Sequence, residues 1–410
     1  MKRLLYLTAD GVLEALGFSQ VVRVIEALAK RGWQYELFSL EKPKDLERTA
    51  RVREVRERLA RAGIEWRYEP WAVGGSGRDA VQNELALIRF ALQRARRGGL
   101  DAIHARAYHG AVAAFACKSA YGTPYLFDTR SYWFDERLEE GRWFTSPVRL
   151  GLARGVEHQL FAQAAGVVTL TELQADDVRQ GAFGPNGARP VQCITTTADF
   201  DDFVRKPLAE LRRVPGALVE QLRGRRVLGI VGSLNRSYLV KETLELIRLV
   251  QQRDPRAWLL VLSAQQAEYE AAARAAGLPL DRLTVTRADH DAMPEYLSLL
   301  DWSPLLLQPA SRAKRASMPT KLAEFFACGV RPAQFGCSSE VSDWVRRAGT
   351  GVVLPSVEPG ELARAADVIA ASTRDEAALQ AGRERAAEHF SLASGTDKYD
   401  AVLRQMARLP

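Results

Sequence analysis

Short apolar runs recur along the chain, separated by longer stretches in which apolar residues return every three to four positions. Runs of the first kind read as buried strands and stretches of the second as amphipathic helices. In the first half, strands are predicted near Leu4–Thr8, Tyr35–Ser39, Ala102–His104, Tyr125–Asp128 and Val167–Leu170. In the second half they are predicted near Val227–Gly232, Leu259–Ser263, Leu283–Thr286, Leu305–Gln308 and Gly351–Leu354. Between the first two strands, Val21, Val22, Ile25, Leu28 and Ala29 share one face of a helix predicted from Gln20 to Lys30, and Gly32 follows its end.

Repeated strand–helix–strand order implies parallel sheets with helices on both faces. The strands are too many for one compact domain, so an α/β chain of two doubly wound, Rossmann-like domains is expected. Lys206-Pro207, Pro215-Gly216 and a basic cluster precede a fresh strand, which puts the boundary within 203–225. The expected domains are 1–204 and 205–389, with a final helix over 390–410 packing back on the first. In such sheets ligands bind beyond the carboxyl ends of the strands.

Charge narrows the partners. A net charge of +7 suits anionic ones, such as sugar nucleotides or anionic lipid. Basic residues crowd 48–67, but Glu54 with Arg58 and Glu57 with Arg61 stand at helical spacing, so a solvated helix with internal ion pairs is expected there. A membrane-surface patch stays open as the other reading. Nucleic acid is not expected, for want of a recognised module or aromatic stacking motif. The four cysteines fit neither a zinc site nor a disulfide framework, which suits a reducing cytoplasm. The apolar run at the N-terminus is too short for a signal peptide. No G-x-G-x-x-G fingerprint follows a strand, so dinucleotide redox chemistry is not expected.

Several strand-end segments carry candidate chemistry. The segment Ser317-Met318-Pro319-Thr320-Lys321-Leu322-Ala323-Glu324 opens a helix that Gly329 ends. Its N-terminus offers unpaired amides and partial positive charge to a diphosphate. Glu324, a turn further in, can accept hydrogen bonds from a ribose diol. In Asp10-Gly11 to Gly17-Phe18-Ser19-Gln20, Gly17 permits close approach and Ser19 reads as an N-cap. His104 ends the third predicted strand, Arg106 and Tyr108 follow it, and an arginine such as Arg106 suits an anionic acceptor or outgoing phosphate. The run Asp128-Thr129-Arg130-Ser131-Tyr132-Trp133 follows a strand directly and suits sugar or acceptor recognition. Gly232-Ser233 turns sharply after a strand, and Arg236 and Lys241 then flank the next helix, where cations neutralise a leaving diphosphate.

Together these segments resemble the retaining glycosyltransferases of family 4, in a branch with GVLEPLGxSQV, FDxRGxWxDER, GSLGTWY and SPTKxxE-type patterns. The chain departs from the wider family at Ala316, where a first acidic residue is usual, and at Arg106, where many relatives carry a second histidine. The resemblance implies the GT-B fold, with the two domains facing across a cleft. It implies transfer of a hexosyl unit from a UDP- or GDP-type sugar to a hydroxyl, in glycan or polysaccharide assembly. Arg236, Lys241, Asp128, Arg130 and His104 are the expected catalytic residues. Gly17, Ser19, Ser233, Ser317, Thr320, Lys321 and Glu324 are expected at the donor, and Arg106, Tyr108 and Trp133 on the acceptor side. No cofactor and no metal is expected. The implied setting is cytoplasmic, with a lipid-linked acceptor and peripheral contact with an anionic inner membrane face both open. The rival reading is a catalytically degenerate GT-B protein that acts as a scaffold or regulator.

Overall fold

The computed structural model describes residues 2–139, 141, 146–234, 238–308, 311, 316–336 and 339–407. The chain divides into two compact units, 1–197 with 392–410, and 198–391. Each is built on a parallel sheet with helices on both faces.

The first sheet holds β1 (Arg3–Thr8), β2 (Gln34–Glu41), β3 (Glu65–Pro70), β4 (Ala102–Arg106), β5 (Tyr125–Asp128), β6 (Gly166–Thr169) and β7 (Val191–Cys193), in the order β3-β2-β1-β4-β5-β6-β7. Its central strands are buried on both faces, as an all-parallel sheet requires. One core packs Tyr6, Ile25, Leu28, Leu37, Val55 and Leu59 with Tyr399, Val402, Leu403 and Met406 of the helix Leu392–Met406. Gly166 makes room for that helix, since a Cβ there would meet the Met406 sulfur.

The second sheet holds β8 (Arg226–Val231), β9 (Ala257–Leu262), β10 (Leu283–Thr286), β11 (Trp302–Leu305), β12 (Arg331–Phe335) and β13 (Val352–Leu354), in the order β10-β9-β8-β11-β12-β13. Leu228, Ile247, Val250, Leu259, Val261, Leu306 and Ile369 centre its core.

Strand order reverses between β1 and β4 in the first sheet, and between β8 and β11 in the second. At such a point the loops leaving the two carboxyl ends run in opposite directions and open a crevice, where doubly wound sheets place their ligands. Asp10 follows β1 and Arg106 ends β4. Gly232 follows β8, and the chain after β11 leads to Lys321.

The structure corrects several local expectations. The first helical segment starts at Ala15, not Gln20, and runs through a π turn (Phe18–Val22) to Ala29. Ser19 therefore lies inside it and is no N-cap; its hydroxyl donates to the Leu16 carbonyl. In the helix Thr49–Arg61, Arg58 binds Glu26 of another helix through two hydrogen bonds (2.6 and 2.9 Å), and Glu54 pairs with Arg51. β3, β7 and β12 had no counterpart among the expected strands.

Candidate functional site

In the second unit, the helix Thr320–Ala327 starts behind Pro319, whose extended backbone sets its entry. Lys321 is its second residue. The Lys321 ammonium lies 4.4 Å from the centre of the Tyr238 ring. It also lies beside Gly232, where the backbone takes φ +106° and a Cβ would approach the ammonium to 3.2 Å. Glycine is thus required twice at this turn, for its conformation and for the space it leaves. The Tyr269 hydroxyl donates to the Gly232 carbonyl (3.0 Å) and fixes the turn from behind. Tyr238, Tyr269, Ser233 and Lys321 line one recess together with Val231 and Ser303.

Among the described residues, Lys321 has no carboxylate partner. Glu324, one turn on, has neither a hydrogen bond nor an ion pair among the described residues. Burial pushes its pKa up to about 7, and Lys321 draws it back down. Lys241 lies exposed in the first turn of the helix Val240–Arg253. Both lysines therefore occupy helix N-termini, where the macrodipole disfavours a cation by roughly 0.3–1 kcal/mol. An anion bound at such an N-terminus turns that cost into attraction. Thr320 is half-buried at the helix start, and Ser233 is exposed. Arg236 lies outside the described residues.

In the first unit, β4 and β5 carry Arg106 and Asp128 in register. Arg106 Nε donates to Asp10 Oδ2 (2.9 Å), which joins the two sides of the switch point. Asp128 is fully buried. Tyr399 Oη donates to its Oδ2 (2.8 Å), and Arg130 Nη1 lies 3.4 Å from its Oδ1. Burial works against ionisation of Asp128, but Arg130, His104 and Arg106 hold it well below the ordinary carboxylate range. His104 Nε2 and Arg106 Nη1 stand 3.7 and 3.8 Å from the same Oδ2, too far for hydrogen bonds. Both are buried without a partner among the described residues. Burial depresses the His104 pKa, with Asp128 opposing, so the ring is neutral at neutral pH. The backbone at Arg130 takes φ +59°, uncommon for a residue with a side chain. Its guanidinium is tied to the Ile194 carbonyl at 3.2 Å.

Residues 19–193 match the family model for a glycosyl transferase 4-like domain. The matched segment lies within the first unit. Over nearly its full length, the chain resembles in fold sucrose-phosphate synthase from Thermosynechococcus elongatus (TM-score 0.70, 15% identity, 99% of each chain). It also resembles Anabaena HepE in complex with UDP and glucose (TM-score 0.68, 14% identity, 98% of this chain and 99% of that one). A third similar structure is α,α-trehalose 6-phosphate synthase from Burkholderia multivorans (TM-score 0.69, 12% identity, 99% of this chain and 98% of that one). No curated protein gives a significant match. The fold is GT-B.

Within the first unit, three candidates are already engaged. A Cβ on Gly17 would overlap the Gly11 carbonyl oxygen, so the close approach that Gly17 permits is to its own loop. Tyr108 is buried, and its hydroxyl donates to Glu157 Oε1 (2.6 Å) beneath the helix layer. Trp133 is half-buried against Tyr108, His109 and Phe134, with Arg137 over its ring. His104, Arg106, Asp128 and Arg130 do come together. Sequence reasoning missed Tyr399, Asp10, Tyr238 and Tyr269. A tyrosine 271 positions away in sequence gives no local signal of its tie to Asp128. Asp10 showed one, as an acid directly after the first strand.

Proposed function

We propose that the protein is a retaining glycosyltransferase that moves a hexosyl unit from a nucleoside-diphosphate sugar of UDP or GDP type to an acceptor hydroxyl, in glycan or polysaccharide assembly. One observation carries the reading. Lys321 and Glu324, a cation and a carboxylate with no hydrogen-bonded charge partner among the described residues, stand one turn apart at a helix N-terminus beside the Gly232 turn. The two charges have complementary tasks. The amides of the first helical turn, with Lys321, Lys241 and Arg236, hold the diphosphate. Glu324 accepts from the ribose hydroxyls. The binding of UDP and glucose by the similar Anabaena protein supports a sugar-nucleotide donor.

The chemistry asks for charge stabilisation on the departing diphosphate, which is where the cations are. The incoming hydroxyl attacks from the leaving-group face and passes its proton to a diphosphate oxygen. No strong protein base and no metal takes part. Asp10, Arg106, Asp128 and Arg130 serve the acceptor side, and His104 acts beneath them as a neutral support. The work takes place in the cytoplasm, on an acceptor presented at the inner membrane face. The degenerate-scaffold rival has no specific observation in its favour.

Calorimetric titration with UDP, GDP, ADP, TDP and CMP, in the absence of acceptor, tests the proposal. Selective binding of one nucleoside diphosphate, lost in Glu324→Ala, is the expected result. Absence of binding to all five overturns it.

A further inference from the structure

We propose that one helical face of the first unit docks onto an anionic lipid surface. The helices Gly77–Arg96, Ala107–Tyr121 and Pro147–Gln163 lie side by side over the first sheet. Their outward residues are unusually apolar. Val148, Leu152 and Val156 recur every four positions and are 73, 68 and 47% exposed. Val81 and Leu85 repeat the spacing on the first helix, and Tyr121 ends the second. Such stripes bind an interface by burying apolar area among headgroups.

The charge on this face decides the occupant. Arg78, Arg96 and Arg149 are exposed on it and Lys118 is half-buried, while Arg89 is paired with Glu69. No acidic residue of the three helices is exposed. Asp79 is bound to the Ser76 hydroxyl, Glu84 to His109, and Glu157 is buried against Tyr108 and Arg154. A face of apolar residues on which the exposed cations outnumber the half-buried acids Asp79 and Glu84 is complementary to anionic headgroups. Gly151 and Gly155 leave open space on the same face, which would suit close helix packing with a second copy. Two copies of one net-basic face repel each other, so the lipid surface is the better fit. The basic stretch at 48–67 does not compete: Arg51, Arg58 and Arg67 are matched by Glu54, Glu26 and Glu65, and no large apolar residue is exposed in it.

The test is co-sedimentation of the full chain with phosphatidylcholine vesicles, with and without phosphatidylglycerol, in the absence of nucleotide. Because no nucleotide is present, its outcome is independent of the transferase reading. Binding is expected only with phosphatidylglycerol, weakening as salt rises. The combined variant Val148→Asp, Leu152→Asp, Val156→Asp is expected to lose on the order of tenfold or more in partition, with an unchanged melting temperature. Arg53→Glu, on the helix Thr49–Arg61, is expected to leave partition unchanged. Equal behaviour with both lipids overturns the proposal, as does a loss in Arg53→Glu matching that of the triple variant. So does a dimer in size-exclusion chromatography that the triple variant splits while vesicles are ignored.

Discussion

Glu324 sets stability against binding. Its pKa rises from an ordinary 4.5 to about 7 on folding. Between those two values the folded chain keeps a proton that the unfolded chain has lost. Stability is therefore full below the lower value, falls as pH rises towards the upper one, and stays reduced above it. Glu324→Gln keeps the shape and removes the charge. At about pH 8 it should stabilise the protein by about 1–3 kcal/mol, with no gain at about pH 4, readable in urea melts. The same variant should lose nucleotide affinity. Lys321→Ala should lower transfer by on the order of tenfold or more, as loss of a charge-assisted contact does. Wild-type turnover in either variant would remove the donor site from this helix. Asp128 is a different case. Asp128→Asn leaves Arg106 and Arg130 with less compensation inside the sheet end, and should cost roughly 3–5 kcal/mol in a denaturant melt. These sites were legible to different degrees. Lys321 and Glu324 could be read because a helix start and its charges are local in sequence. The tie from Tyr399 to Asp128 could not, since it forms only when distant segments fold together.

At the scale of elements, the loop after β1 shows how one glycine shapes a site. Gly17 packs against the Gly11 carbonyl, and the Val12 and Leu13 amides of that loop donate to the buried Glu41 carboxylate at 2.8 and 3.2 Å. Gly17→Ala has no room for its methyl group and should destabilise the first unit by about 1–3 kcal/mol. Hydrogen exchange should report the loss first in residues 9–17, ahead of the second unit; uniform exchange across both units would contradict it. The missed strands follow the same physics. β3 is an edge strand whose Glu65, Arg67 and Pro70 face water, so no apolar run marks it. β12 is buried, yet it reads Arg-Pro-Ala-Gln-Phe. Arg331 is accommodated because its guanidinium donates to the Thr373 and Asp301 carbonyls, and neither contact can be inferred from the strand itself. The strands found by pattern are the ones that carry an apolar run, even where buried polar residues such as His104 and Asp128 lie within them.

At the scale of the whole molecule, the chain leaves its first unit at 197 and returns to it at 392. The returning helix Leu392–Met406 is structural in two senses. Its buried Tyr399, Val402, Leu403 and Met406 complete the core around Ile25, Leu28 and Leu126. Its Tyr399 hydroxyl and Asp400 carboxylate bind Asp128 and the Trp33 indole, at 2.8 and 2.7 Å. Four buried side chains of this kind contribute about 1.5–3 kcal/mol each, which together is comparable to the whole stability of an ordinary domain. A chain ending at Ser391 should therefore lose the first unit while keeping the second, whose core uses none of these residues. Two readings separate this from general unfolding. Hydrogen exchange should deprotect β1, β4 and β5 but spare β8 and β9, and nucleotide binding at Lys321 and Glu324 should survive. The milder Tyr399→Phe keeps the apolar contacts and removes one hydrogen bond to a charged group, worth roughly 1.5–3 kcal/mol. If the truncated chain protected β1 as well as the intact one does, the returning helix would be an accessory, and the polar centre at Asp128 would have to be held by Arg106 and Arg130 alone.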